Sequence, residues 1–341
     1  MGAQKFGLLG VSATVLFGSL AASAQHGSES KGKDIRIIVG TAPGGGYDSY
    51  ARLVASHLPK HLPGRPNAIV QNMPGAGSLT LLNHLANVAP KDGTVIGAVH
   101  SLSATYPLFA PDKARYDARS MAWIGSTLRE NHLGIAARDS NVQTFQDVVD
   151  RELIIAGAGG ATTSFPAFSN EVLGTKFKIV RGYEGTRQAM LALERGEVAG
   201  LVGISWSTLK ATNPAMMKEG RLNIFVQYGL TKHSELPQVP WVFDRATPSN
   251  RGALDLMFGT QEFGRPYVAP GGMPSEVGTG LRQAFSQMMK DEDFVNDAAK
   301  RKLDLDFTPG EDIQTLISLM YQASPADIEK VRRVVGDQLP Q

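Results

Sequence analysis

Three short segments place glycine beside small and hydroxyl residues directly after apolar runs: Pro43 to Asp48, Pro74 to Ser78 and Gly157 to Ser164. Each stands where a strand would end and a helix begin. The chemistry such turns offer is anion capture. A helix N-terminus exposes unpaired N–H groups and partial positive charge. Glycine lets the backbone approach a guest closely, and serine and threonine hydroxyls add donors without adding charge. One glycine turn after a strand is most often only a turn, but three in one chain are harder to reduce to that. None fits a nucleotide motif. Gly-x-Gly-x-x-Gly is absent after Val39, and no Gly-Lys-Ser/Thr follows any of the turns. A small anion fits better than a dinucleotide.

Catalytic patterns are sparse. There is no Gly-x-Ser-x-Gly elbow. His57 and His61 have the i, i+4 spacing of metal ligands, but Pro59 and Pro63-Gly64 interrupt the helix, so a solvated helix end is the simpler reading. No His-Glu-x-x-His occurs, and the seven histidines do not cluster with carboxylates at ligand spacing, so neither a metal nor a cofactor is expected. Arg181, Arg187 and Arg195 surround the turn at Gly182 to Thr186, where one of them could pair with a ligand carboxylate in bidentate fashion. Arg195, just before Gly196, reads instead as a surface residue at a helix end. Tyr183 and Trp206 follow strands and suit either an aromatic wall or hinge packing. A loop serine with His100 or His132 is the pair that a hydrolase, the competing reading, would need.

The elements that must position these turns alternate. Ile35 to Val39, Ala68 to Val70, Thr94 to Val99, Leu153 to Ala156, Phe177 to Val180, Val198 to Val202 and Leu222 to Tyr228 read as strands. Helical patterns follow most of them, the first with Asp48 at the N-cap position. Strand, small-residue turn and helix in repetition predict α/β layers with parallel strands. The C-terminal part reads as mostly helical. Leu281, Ala284, Phe285 and Met288 share one face, as do Ile313, Leu316, Ile317 and Met320. Thr308-Pro309-Gly310-Glu311 and Ser324-Pro325-Ala326-Asp327 read as helix starts. These helices are expected to return and cover the first domain. No internal sequence repeat is visible.

Composition narrows the class. The chain has 341 residues, enough for about two domains. With 34 Lys+Arg against 32 Asp+Glu, the net charge of +2 is too balanced for a nucleic-acid binder. Zero cysteine excludes disulfide scaffolds, thiol catalysis and Cys-ligated metals. Met1 to Lys5, the apolar run Phe6 to Leu20 and Ala22-Ser23-Ala24 read as a signal peptide over 1–24, cleaved before Gln25. That run is short of the ~20 residues that span a bilayer. An exported, soluble product is expected.

Several of these motifs resemble the Bug family, the periplasmic solute receptors of tripartite tricarboxylate transporters. The run Ile37-Ile38-Val39 with the Ala42-Pro43-Gly44-Gly45-Gly46 turn resembles the family's first strand and loop. Asn72-Met73-Pro74-Gly75-Ala76-Gly77-Ser78 is similar to its Asn-x-Pro-Gly-Ala-Gly segment, and Lys91-Asp92-Gly93-Thr94 leads to its next strand. Gly182-Tyr183-Glu184-Gly185-Thr186 and Glu194-Arg195-Gly196-Glu197-Val198 resemble one branch of the family. The third loop, Gly157 to Thr163, departs from the commoner Gly-Ser-Pro-Gly-x-Gly-Ser. The likeness runs from about Asp34 to Val335.

The resemblance implies an α/β, two-domain periplasmic-binding-protein (Venus-flytrap) fold with a ligand cleft between the domains. We place domain 1 at 34–133 plus 240–341 and domain 2 at 134–239. It further implies capture of a small carboxylate, a di- or tricarboxylate or an aromatic acid, for delivery to the large and small permease subunits of a transporter. Carried over by position, the ligand-binding residues are Gly44, Gly45, Gly46, Asp48, Thr162, Thr163 and Ser164, with Ser78, Ser101, Ser103 and Tyr183 as additions. A sensory receptor for the same ligands would look alike in sequence.

Overall fold

A computed structural model describes residues 33–336; the expected signal peptide at 1–24 lies outside them. Eleven strands are described: β1 Ile35–Val39, β2 Ala68–Asn72, β3 Val95–Ala98, β4 Ala122–Ser126, β5 His132–Ala137, β6 Leu153–Gly157, β7 Phe177–Arg181, β8 Gly200–Ser205, β9 Leu222–Tyr228, β10 Pro266–Ala269 and β11 Thr308–Pro309. They form two sheets, ordered β11-β4-β10-β3-β1-β2 and β7-β6-β8-β5-β9.

The sheets are mixed, not parallel throughout as the strand–helix alternation predicts. β1 pairs in parallel with β2 and β3, while β10 runs antiparallel between β3 and β4. In the second sheet β6 is parallel to β7 and β8, and β5 runs antiparallel between β8 and β9. Apart from the edge strand β11, both sheets therefore have the same layout: three parallel strands, one inserted antiparallel strand, and a last strand beyond it. The topology repeats where the sequence does not. The inserted strands exchange roles between the halves. β10 enters the first sheet from far along the chain, and β5 enters the second directly after β4.

The chain passes from sheet to sheet twice, after β4 through Thr127 to Asn131 and after β9 through Gly229 to Arg265. The helices of the last third cover the first sheet and extend beyond it. Leu281, Ala284, Phe285 and Met288 are buried in one apolar cluster with Ile35, Ile37 and Val39 of β1 and Ile124 of β4. The last helix, Pro325–Val335, packs on Tyr106–Phe109 and on Ala161–Leu173, the latter being the helix that follows β6. A second apolar cluster accordingly runs from Leu79 and Leu82 through Val331 and Val335 to Phe165 and Phe168.

Local starts follow their chemistry with two differences. Ser324 accepts the Asp327 N–H with Pro325 in the first turn, as expected. Thr308, by contrast, lies in β11, and its hydroxyl donates to the Glu262 carbonyl, so the helix begins at Gly310 behind Pro309. Asp48 is not the N-cap of Gly46–His57. Gly45 is, and Asp48 reaches back from the first turn to accept the Gly44 N–H at 3.0 Å.

Candidate functional site

A cavity of about 1020 Å³ lies between the two sheets, at the carboxyl ends of their parallel strands. Such edges are where α/β folds hold ligands, since helix N-termini converge there. From the first lobe the walls are Gly40 to Pro43, Gly45 to Tyr47, Pro74 to Gly77, His100 and Tyr106. From the second they are Ala158 to Ser164, Glu184 to Gln188, Gly203, Ser205 and Thr208, with Arg265 from the crossing.

The loop after β1 is shaped by Asp48. Its carboxylate takes the Gly44 N–H, Arg52 Nε at 2.9 Å and Nη2 at 3.1 Å, and Asn72 Nδ2 at 3.0 Å. Burial pushes its pKa up, but the bonds from Arg52, Gly44 and Asn72 outweigh this and hold it below the ordinary carboxylate value. Gly46 must be glycine. A Cβ there would sit 2.2 Å from Thr208 Oγ1, which reaches in from the other lobe, and 3.0 Å from Arg265 Nη2 at the crossing.

Ser78, buried and with φ of 76°, ties two loops of the first lobe together. Its hydroxyl donates to the Gly40 carbonyl at 3.1 Å and accepts the His100 N–H at 2.9 Å. Ser103 donates to the His100 carbonyl, and the Ser101 N–H meets the Tyr47 hydroxyl at 3.3 Å.

In the second lobe, Thr162 Oγ1 donates to Gly159 O and accepts the Ala158 N–H, both at 2.8 Å. Thr163 Oγ1 donates to Gly160 O at 3.1 Å. These bonds fold the glycine turn over the start of Ala161–Leu173.

Where the lobes meet, Arg265 is the central cation. Its Nη2 lies 3.1 Å from Glu130 Oε2 and donates to Ser205 Oγ at 2.7 Å and Thr208 Oγ1 at 3.1 Å, while the guanidinium stacks 4.4 Å from the Tyr47 ring centre. Glu130 also accepts both the hydroxyl and the N–H of Ser207. Burial pushes the Glu130 carboxyl up, against the opposing pull of Arg265 and Ser207. The short contacts are those of an ionised pair.

Two histidines complete the walls. His132 Nδ1 and its backbone N–H both approach Gln261 Oε1, at 2.8 and 3.0 Å. A carbonyl oxygen only accepts, so the ring proton sits on Nδ1. Burial holds both His100 and His132 down to about 3, so both are neutral at physiological pH.

Of the residues expected from sequence, Gly45, Gly46, Thr162, Thr163 and Ser164 line the cavity together. Gly44, Asp48, Ser78, Ser101 and Ser103 lie behind the lining, and the bonds described for them serve the loops. Tyr183 packs beside the apolar cluster of the second sheet, and the Trp206 indole donates to Glu235 at 2.7 Å. Arg187 lines the cavity, exposed and with no ion pair or hydrogen bond among the described residues, whereas Arg181 is not part of the lining. His57 and His61 turn to separate carboxylates, each 3.0 Å away, on Asp297 and Asp291. Sequence reasoning missed Arg265, Tyr47, Tyr106 and Thr208. Only Thr208 carried a local signal, the Ser205-x-x-Thr208 spacing of a capped helix start.

The pattern that defines the tripartite tricarboxylate transporter family receptor, TctC, matches residues 50–331. The chain belongs to that family. A UPF0065 protein from the TAR-I ttuE-ttuC' intergenic region of Agrobacterium vitis is 23% identical over 311 residues, covering 89% of this chain and 84% of that one. A UPF0065 protein of Bordetella bronchiseptica is 24% identical, covering 80% and 78%. Among solved structures, the periplasmic binding protein BugD superposes with a TM-score of 0.67 at 19% identity, over 90% of this chain and 97% of its own. MatC of Rhodopseudomonas palustris, solved with malate, gives 0.66 at 20%, over 89% and 99%. An R. palustris protein solved with adipate gives 0.67 at 17%, over 89% and 97%. The TctC receptor fold, two mixed α/β sheets of the periplasmic-binding-protein type, is thus the fold of this chain. No helix among the described residues is long and apolar enough to cross a membrane.

Proposed function

We propose that this TctC-family protein is an exported receptor that captures a small carboxylate between its lobes, 34–133 plus 240–341 and 134–239, and presents it to a membrane permease. The observation that carries the reading is the convergence of three helix starts, at Gly46, Ala161 and Thr186, on one cavity between two sheets. Amide N–H groups at these starts and the Ser164 hydroxyl replace an anion's hydration, and Arg187 in the same lining adds positive charge. Neighbours of the same fold solved with malate and adipate support a di-acid as guest. Cleavage after Ala24 places the mature chain in the periplasm on this reading. The hydrolase alternative gains nothing here, because neither His100 nor His132 takes a serine hydroxyl on its ring among the described residues.

The test is a thermal-shift panel on the mature chain with acetate, malate, adipate, citrate and benzoate. A ligand bound only by the folded state at 100 times its Kd adds about 2.7 kcal/mol. At least one acid raises the transition and is recovered unchanged. A panel without a shift, together with turnover of an ester or amide, sinks the reading. Uptake in membranes carrying the permease separates transport from sensing.

A further inference from the structure

Two backbone N–H groups compete for one imidazole. The Leu102 N–H approaches His100 Nδ1 at 3.3 Å, and the Ala161 N–H approaches His100 Nε2, also at 3.3 Å. A neutral imidazole has one lone pair and one N–H, so it accepts only one of the two. The charged ring would accept neither, and burial with Arg265 nearby disfavours that form. Whichever tautomer is present, a donor faces a donor. His100 is 7% exposed, so an acceptor for the unpaired donor must come from the cavity it lines.

The two contacts differ in kind. Leu102 is two residues from His100, and its N–H belongs to the helical turn that His100 caps. Ala161 is 61 residues away, in the first turn of the 13-residue helix Ala161–Leu173 on the opposite lobe. The approach is engineered closely. Gly160 has φ of 56°, and a Cβ there would lie 2.9 Å from the His100 ring. With the local cap satisfied by Nδ1, the proton sits on Nε2, and Nε2–H and Ala161 N–H are two donors from two lobes at one junction. Both residues line the cavity.

We propose that His100 is a ligand-contact residue: its Nε2–H and the Ala161 N–H jointly receive one oxygen of the bound carboxylate. The oxygen relieves the donor clash and ties the lobes together through a guest. In the empty protein the ring shifts its proton to Nδ1 and takes the Ala161 N–H itself, at the expense of the Leu102 cap. Ligand binding is thereby coupled to a tautomer change in a neutral ring. This inference rests on the receptor reading above and deepens it, naming a residue that neither the glycine motifs nor the hydroxyl loops point to.

The experiment titrates wild type, His100→Asn and His100→Gln with the acid from the panel that wild type binds best, by calorimetry. Asn keeps an acceptor for the Leu102 N–H but has no donor at the Nε2 position; Gln keeps a donor there. A hydrogen bond to a charged group supports an expected loss of roughly ten- to a hundredfold for His100→Asn. His100→Gln stays much closer to wild type. Ring ¹⁵N NMR on histidine-labelled protein shows the Nε2–H tautomer of His100 at saturation. Wild-type affinity in His100→Asn, or an Nδ1–H ring in the saturated complex, overturns the proposal and leaves the receptor reading standing. A wild type that binds no acid of the panel overturns both.

Discussion

Arg265 Nη2 stands 3.1 Å from Glu130 Oε2 with both side chains 2% exposed, where the two crossings of the chain meet. Each partner is supported by groups of the second lobe, Arg265 by Ser205 and Thr208, Glu130 by Ser207. Removing one member strands the other charge in a dry site. Glu130→Gln or Arg265→Met is expected to cost about 3–5 kcal/mol in denaturant unfolding, and the double variant clearly less than the sum. Additive losses would show that the pair is not coupled.

His132 gives stability a pH slope. Its folded pKa of about 3 lies below the usual histidine value of about 6.5. Between those values the unfolded ring binds a proton and the folded ring does not, so stability falls as pH drops through about 6.5 and the loss levels off near 3. Each such ring contributes roughly one kcal/mol per pH unit across that window. Replacing His132 with Asn, which keeps an amide near Gln261, should remove about one proton from the pH dependence of unfolding between pH 6 and 4.

Asp48 works in the opposite chemistry but with the same direction of change. Its folded pKa lies below the unfolded value near 3.9, so its contribution is complete above that value and disappears as pH falls through the folded one. Asp48→Asn is expected to lose about 1–3 kcal/mol at neutral pH. Its stability should converge on that of wild type in acid, as measured by urea unfolding from pH 7 to 2.5.

Gly46 tests the closeness of the lobes. Gly46→Ala drives a methyl into Thr208 Oγ1. Affinity for the best panel acid is expected to fall at least about tenfold, since a small misplacement at a preorganised site is costly. The melting transition should move by only a few degrees. Thr208→Ala in the same chain should restore part of the affinity, and an unrelieved double variant would place the conflict elsewhere.

The legible part of this fold is the part written locally. β1, β3, β6 and β8 are apolar runs closed by glycine, serine or histidine, and the turns after β1 and β6 announce themselves by composition. β4, β5 and β10 leave no comparable local signal, because their pairing is decided by tertiary burial. β10 is four residues beginning with Pro266, and β4 and β5 each carry a glycine, Gly125 and Gly134, where aromatic side chains of other elements leave no room for a Cβ. The site divides in the same way. Thr162, Thr163 and Ser164 are neighbours in sequence, but Arg265 meets Ser205 across 60 residues and acquires meaning only when β8 and β10 have found their sheets. In sequence His100 is a histidine near a serine, a candidate base. The geometry instead gives it two competing amides.

The last helix has a mechanical consequence. Because Pro325–Val335 is packed on Tyr106–Phe109 and on Ala161–Leu173 at once, it acts as a strap across the back of the two lobes. A wide rotation about the two crossings would peel Val331 and Val335 from one side and wet the apolar seam. A short slide of one packed layer over another keeps it dry. Wide separation of the two sheets therefore carries the cost of exposing that seam, which a short slide avoids.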